Sequence, residues 1–146
     1  MKVSQRLDIQ ADEFFNYIVN QMKQDIKMTN KVEVLSLEEL DGFNYIRKIK
    51  KQKSGDVFQV HIHVGPIIKN KYYEVSYVTP TAKSRYFYDI RDNGEYIIVT
   101  YAEEGEAEGK LNNWFHKLQV KIREKQISNQ ISLTLRNIEQ EIKKNK

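Results

Sequence analysis

The sequence predicts an α+β domain in which an antiparallel sheet packs against a long C-terminal helix. Segments with the two-residue period of strands follow one another through the middle of the chain. Helical periodicity is confined to one segment near the start and one at the end, so the helices are segregated from the strands. Seven of the nine tyrosines lie between Tyr72 and Tyr101, which places an aromatic cluster within the predicted sheet.

Length and composition indicate one folded domain over residues 1–146. Hydrophobic residues make up 40% of the chain and charged residues 30%, a balance typical of globular rather than disordered proteins. There is no cysteine, which excludes disulfides, thiolate metal sites and cysteine nucleophiles. Charged residues interrupt the N-terminus too early for a signal peptide, and no apolar run is long enough to span a membrane. We therefore expect a cytoplasmic protein.

The first two elements are predicted from a change of period. Residues 2–9 alternate apolar and polar side chains, which predicts a half-buried strand. From Ala11 the apolar residues recur at helical spacing, and we expect this helix to end near Asn30. Asp12 and Glu13 lie in its first turn, where carboxylates complement the helix dipole. The apolar stripe of the helix consists of Phe15, Ile18, Val19, Met22 and Ile26.

Six further strands are predicted between this helix and the end of the tyrosine-rich region. They cover residues 31–38, 43–51, 56–64, 71–79, 84–90 and 95–103. Turn signals at Asp41-Gly42 and Asn93-Gly94 separate neighbouring strands, and Gly65-Pro66 is expected to end the strand before it. Because short turns join antiparallel strands, the prediction is an antiparallel sheet of about six to seven strands.

The C-terminal segment returns to a helical period between Leu111 and Ile142. It carries two apolar stripes with a five-residue step from Ile122 to Ile127, so either one helix bends there or two helices meet. The first stripe consists of Leu111, Trp114, Phe115, Leu118 and Ile122, and the second of Ile127, Ile131, Leu135, Ile138 and Ile142. We expect the second stripe to be buried against the inner face of the sheet. Its spacing also suits pairing with another chain, so the oligomeric state stays open.

The order of elements resembles the helix-grip fold of the START-like superfamily, which includes the birch-pollen allergen type and polyketide cyclases. The matching stretches are LDIQADEFF at residues 7–15, YYEVSY at residues 72–77 and YAEE at residues 101–104. More narrowly, the chain is similar to a small uncharacterised family of proteins from Gram-positive bacteria. The resemblance implies a curved sheet wrapped around the C-terminal helix, with a cavity between them suited to lipids, polyketides or other apolar molecules. Only Gly42 stands where the allergen type has a glycine-rich loop, so an allergen-like mouth is not implied.

The tyrosine-rich strands contain most of the candidate ligand-binding residues. Aromatic side chains at alternate strand positions can line a cavity, since they supply apolar area and a few orienting hydrogen bonds. The candidates are Phe58, Ile62, Tyr73, Tyr77, Tyr86, Tyr88, Tyr101 and Trp114. The alternative is that these residues only pack in the core or lie on the surface. Tyrosine favours strands in general, and a one-residue slip of phase moves every side chain to the other face.

Three other patterns in the sequence contain residues capable of chemistry. His61 and His63 share one face of a strand whose opposite face is apolar, so we expect both to face solvent and predict no metal site. Glu103 shares the phase of Tyr101 and is the candidate acid or base, although a solvated strand end is the simpler interpretation. The basic run at residues 47–53 is typical of a solvated hairpin. No nucleic-acid motif accompanies it, so no nucleic-acid partner is predicted.

These patterns predict non-catalytic binding of a small, partly apolar or amphipathic molecule between sheet and helix, without a cofactor. A sensing role would follow if binding moved the C-terminal helix. One alternative is an interaction protein with a filled core, acting through its charged surface or terminal helix. Another is an enzyme of the cyclase type. The volume of the cavity distinguishes the first two functions, and a polar pair inside it would indicate the third.

Overall fold

The structure is a computed structural model that describes residues 1–50, 54–80, 82–107 and 124–146. The elements in chain order are β1 (Lys2–Leu7), α1 (Ala11–Asn30), α2 (Leu37–Leu40), β2 (Asn44–Lys50), β3 (Val57–Ile68), β4 (Tyr72–Val78), β5 (Ala82–Asp92), β6 (Ile97–Ala107) and α3 (Glu124–Lys144). The strands form one antiparallel sheet in the order β1-β6-β5-β4-β3-β2, so the first and last strands of the described chain pair with each other. This arrangement confirms the predicted α+β class.

Local sequence signals set the two ends of α1, close to the predicted positions. The Gln10 N–H donates to Glu13 Oε1 at 2.9 Å, which satisfies one of the unpaired donors at the helix start. Lys31 is left-handed with φ 59°, and its N–H closes the last turn on the Lys27 carbonyl. The buried face of the helix consists of Ala11, Phe14, Phe15, Ile18, Val19, Met22 and Ile26.

The prediction of a strand over residues 31–38 is wrong. Val34 is buried, but Val32 and Leu35 are exposed, so the segment has no continuous apolar face to pack in a sheet. The short helix α2 begins there instead, and Ser36 Oγ caps it by accepting a backbone N–H at 3.1 Å. The described sheet therefore has six strands.

The predicted end of β3 at Gly65-Pro66 is also wrong, because the strand continues through it. The register with β4 shifts between Val64 and Ile67, so Gly65 and Pro66 lie in a bulge, where the missing N–H of proline is tolerated. The Gly42 N–H donates to the Val64 carbonyl at 2.7 Å. The turn before β2 therefore packs directly against this bulge.

Replacing Gly65 with alanine is expected to lower the free energy of unfolding by about 2 kcal/mol. Gly65 has φ +117°, and a Cβ atom there would contact the Asp41 carboxylate and lie 3.0 Å from the Gly42 nitrogen. Gly94→Ala is the matched control, since Gly94 has φ +87° but open space where its Cβ would lie. Its substitution should cost only the backbone strain of about 1 kcal/mol. Urea denaturation of both variants measures the difference, and equal losses would contradict a packing role for Gly65.

The C-terminal helix α3 packs against β1 and α1. In the part of its second apolar stripe whose side chains are described, Leu135 and Ile138 are buried as predicted, and Ile131 and Ile142 are partly buried against the core. The Tyr17 hydroxyl of α1 donates a hydrogen bond to Glu141 Oε2 of α3 at 2.7 Å, so a polar contact also joins the two helices. The first stripe and the five-residue step between the stripes lie outside the described residues. Within the described ranges, no helix combines the length and apolarity needed to cross a membrane.

Candidate functional site

The sheet and the helices enclose an open cleft of about 660 Å³. Its lining comes from β2, β3, β4 and β5 on one side, and from α1 and Ile138 of α3 on the other. The α1 side is mixed, since it combines the apolar Ile18 and Met22 with the polar Tyr17, Gln21 and Asp25. This volume falls within the range of roughly 300–1,000 Å³ that ligand pockets occupy.

Alternation along β4 and β5 builds an aromatic wall in this cleft. Tyr73 and Tyr77 are separated by an even number of positions, as are Tyr86 and Tyr88, so all four side chains point to one face. The register sets Tyr73 opposite Tyr88, with ring centroids 6.3 Å apart. The rings of Tyr77 and Tyr86 are 5.6 Å apart. We call these four residues the tyrosine wall. Rings at such separations attract one another.

Most of the residues predicted from the sequence lie at or beside this cleft. Ile62 and the tyrosine wall belong to its lining. Tyr101 does not line the cleft but stacks on the Tyr86 ring at 5.8 Å, and its hydroxyl donates to Glu103. Phe58 packs against the core cluster without lining the cleft. Trp114 lies outside the described residues. Contact between these residues and a ligand stays a prediction.

A polar cluster at the mouth of the cleft was not predicted. The Tyr45 hydroxyl donates to Asp25 Oδ2 at 2.6 Å, and Arg47 Nη1 lies 3.4 Å from Asp25 Oδ1. We call these three residues the Asp25 cluster. Arg47 belongs to the basic run predicted to be solvated; it is exposed, and it also pairs with a carboxylate of α1. One signal was available, because Asp25 follows Met22 by three residues and so lies on the margin of the buried helix face.

The hydroxyl of Tyr73 has no hydrogen-bond partner among the described residues, although its oxygen is buried. The residue as a whole is 2% exposed and belongs to the cleft lining. Burial raises the pKa of Tyr73, and the neighbouring Tyr77 and Tyr45 add smaller contributions. A buried polar group without a partner costs about 1–3 kcal/mol, and a ligand could remove that cost.

The other tyrosine hydroxyls of the cleft are protonated near neutral pH, and some of them form hydrogen bonds. Burial raises the pKa of Tyr86 well above its usual value and that of Tyr88 to about 12. Burial and the hydrogen bond to Asp25 raise the pKa of Tyr45 in the same direction. The Tyr77 and Tyr86 hydroxyls hydrogen-bond to each other. Near neutral pH the cleft therefore offers phenol groups that can both donate and accept.

The remaining candidate patterns lie elsewhere in the fold. His61 and His63 are exposed, as predicted, and His63 Nδ1 lies 2.7 Å from Asn44 Oδ1. No group of three histidine or carboxylate side chains converges as a metal site in the described part of the chain. Glu104 faces away from Glu103 and pairs with Arg85 at 2.6 Å on the outer face of the sheet.

Solved structures with this fold cover almost the whole chain at low sequence identity. A conserved protein from Geobacillus kaustophilus is 17% identical, with a TM-score of 0.59 over 98% of this chain and 94% of that one. An uncharacterized protein from Rhizobium leguminosarum is 12% identical, with a TM-score of 0.59 over 99% and 93%. The protein Ara h 8.0201 is 8% identical, with a TM-score of 0.56 over 97% and 93%. Similarity at this level shows the fold alone, and it confirms the predicted helix-grip class.

Sequence comparison adds a family match. A family model described as Domain of unknown function (DUF3284) matches residues 1–124. The match includes α1 and all six described strands. No curated protein matches the sequence.

Proposed function

The chain belongs to the DUF3284 family, and we propose that it binds a small, partly apolar molecule in the cleft between the sheet, α1 and α3. The buried Tyr73 hydroxyl without a partner is the observation that carries this proposal. In a core shaped only for packing, phenylalanine would fill the same space without the cost of an unpaired hydroxyl. A tyrosine at this position is explained if a ligand supplies the missing hydrogen bond.

The size and chemistry of the cleft support the same function. A volume of about 660 Å³ accommodates a molecule of several rings or a branched chain. The tyrosine wall and the α1 side chains supply apolar contact area, and the neutral phenols supply orientation. An interaction protein with a filled core would need no such volume, so the cleft favours ligand binding over that alternative.

The first test is thermal melting of the full chain against fatty acids, isoprenoids, flavonoids, phosphorylated sugars and aromatic amines. A ligand at a hundredfold excess over its Kd should stabilise the protein by about 2.7 kcal/mol. For a domain of this size, that gain raises Tm by roughly 5–10 °C. A shift confined to one chemical class would support the proposal and define the ligand. No shift across the panel would favour the interaction protein.

Replacing Tyr73 with phenylalanine is expected to weaken binding of the ligand so found by roughly tenfold, because the variant cannot pair with its polar group. The unliganded variant should be as stable as the parent or more stable, since the unpaired hydroxyl is removed. Tyr96→Phe is the matched control, because Tyr96 packs under Arg6 away from the cleft. Isothermal titration and melting measure both effects. Unchanged affinity in Tyr73→Phe would remove the main support for the proposal.

A further inference from the structure

We propose that the cleft prefers a ligand with a protonated amine over an otherwise similar ligand with a carboxylate, and that Asp25 is the anchor for that amine. This inference rests on the proposed function and adds the chemical class of the ligand. It follows from the arrangement of the Asp25 cluster and from the unpaired Tyr73 hydroxyl, which border the same cleft.

Asp25 has hydrogen-bonding capacity left over within the cleft. Its Oδ2 atom accepts the Tyr45 hydroxyl at 2.6 Å, which fixes the orientation of the carboxylate. Its Oδ1 atom lies 3.4 Å from Arg47 Nη1, beyond the usual N–H···O distance of roughly 2.7–3.2 Å. A carboxylate oxygen has two lone pairs, so Oδ1 can accept an N–H from a ligand. The Asp25 side chain is 30% exposed, and a ligand in the cleft can therefore reach it.

Arg47 is a poor competitor for this position. Its side chain is 52% exposed and extends from β2, the edge strand of the sheet. An exposed ion pair of this kind contributes little to stability, because water solvates both partners. A ligand ammonium that enters the cleft can displace the guanidinium toward solvent while Tyr45 keeps the carboxylate in place.

The charge of the cleft lining also leaves room for a cation at Asp25. Among the described residues that line it, Asp25 and Arg47 are the charged ones and offset each other. The Glu103 carboxylate lies beside the tyrosine wall, where it accepts the Tyr101 hydroxyl. Burial is the main cause of the raised pKa of Tyr88, and the negative charge of Glu103 adds to it. A ligand carboxylate in the cleft would face the Asp25 carboxylate, whose partner Arg47 is 52% exposed and solvated.

The tyrosine wall suits the same ligand. Aromatic rings attract cations through their negative faces, and the effect grows when water is excluded. The Tyr73 oxygen can accept a hydrogen bond from an ammonium group, which would satisfy its missing partner. The ligand class is therefore a small amine attached to an apolar body of ring size.

The test compares three probes that share one ring system, namely naphthylmethylamine, naphthylmethanol and naphthoate. Isothermal titration of the full chain near neutral pH should give an affinity for the amine about tenfold higher than for the alcohol, with the carboxylate weakest. An alcohol that binds as tightly as the amine, or a carboxylate that binds tighter, would overturn the inference while leaving the proposed function standing. If the amine and alcohol both fail to bind, the inference falls. The broader melting panel then decides the proposed function separately.

Two variants of the Asp25 cluster should change the preference in opposite directions. Asp25→Asn keeps the shape and the acceptor for Tyr45 but removes the charge, so the advantage of the amine over the alcohol should disappear. Arg47→Gln removes the competing cation and should raise the affinity for the amine several-fold. Asp89→Asn, an exposed carboxylate outside the cleft, is the matched control and should leave all three affinities unchanged. Unaltered preference in both cluster variants would show that Asp25 is not the anchor.

Discussion

Replacing Leu135 with alanine is expected to lower the free energy of unfolding by about 3 kcal/mol, one of the largest single effects in this chain. Leu135 is 1% exposed and lies on the face of α3 that packs against β1 and α1. Truncation removes most of its buried apolar area and leaves a cavity that neighbouring side chains fill only in part. The loss should appear as a lower midpoint in urea denaturation with an unchanged slope.

Leu133 provides a control within the same helix. It is 59% exposed and lies two positions from Leu135, so Leu133→Ala makes the same chemical change on the solvent side. Such a substitution should alter stability by no more than about 0.5 kcal/mol. Equal effects of the two variants would mean that α3 does not dock through this stripe. A large effect of Leu133→Ala alone would mean that the helix is rotated from the position described.

The elements that the sequence predicted well are those whose buried faces are long. In β3 the alternation from Phe58 to Val64 places the apolar side chains toward the core. In α3 the stripe that contains Leu135 has the spacing of one helix face. Each pattern contains several independent positions, so a single exception does not change the prediction.

The wrong predictions concern segments in which the hydrophobic pattern is short, or in which a tertiary contact overrides the local sequence signal. Residues 31–38 contain only Val34 as a buried position, and a capped helical turn takes over part of the segment. At Gly65-Pro66 the dipeptide is a strong turn signal, but the turn at Gly42 packs against it and the strand continues through a bulge. Local sequence does not contain that contact, since it joins residues far apart in the chain.

In the candidate site too, some features follow from local sequence and others depend on tertiary contacts. Strand alternation groups Tyr73 with Tyr77 and Tyr86 with Tyr88, but the face on which each pair lies became known only from the register of β4 and β5. The hydrogen bond between Tyr45 and Asp25 joins an edge strand to a helix, and its geometry depends on how α1 crosses the sheet. The missing partner of Tyr73 is likewise a property of the packed interior. Both features decide the chemistry of the cleft, and neither has a local sequence signature.

Above pH 10 we expect stability to fall steeply, because the unfolded state loses tyrosine protons that the folded cleft retains. Burial raises the pKa of Tyr73, Tyr86 and Tyr88 above the ordinary value of 10, and that of Tyr88 to about 12. Below pH 10 these phenols are protonated in the folded and unfolded states alike. Between pH 10 and the raised pKa, the unfolded state loses protons that the folded state retains. Each such tyrosine then lowers stability by about 1.4 kcal/mol per pH unit, or about 4 kcal/mol per unit for the three.

Because small domains are stable by only about 5–15 kcal/mol, this slope should unfold the protein within a few pH units above 10. The absorbance of phenolate should therefore rise in a steep step that coincides with the loss of circular dichroism. Tyr88→Phe removes one of the three groups, so the stability of this variant should fall less steeply with pH and its midpoint should move upward. A ligand that pairs with Tyr73 should also move the midpoint upward, since it binds only the folded state. Gradual ionisation of all tyrosines near pH 10 with the fold intact would contradict a buried tyrosine wall.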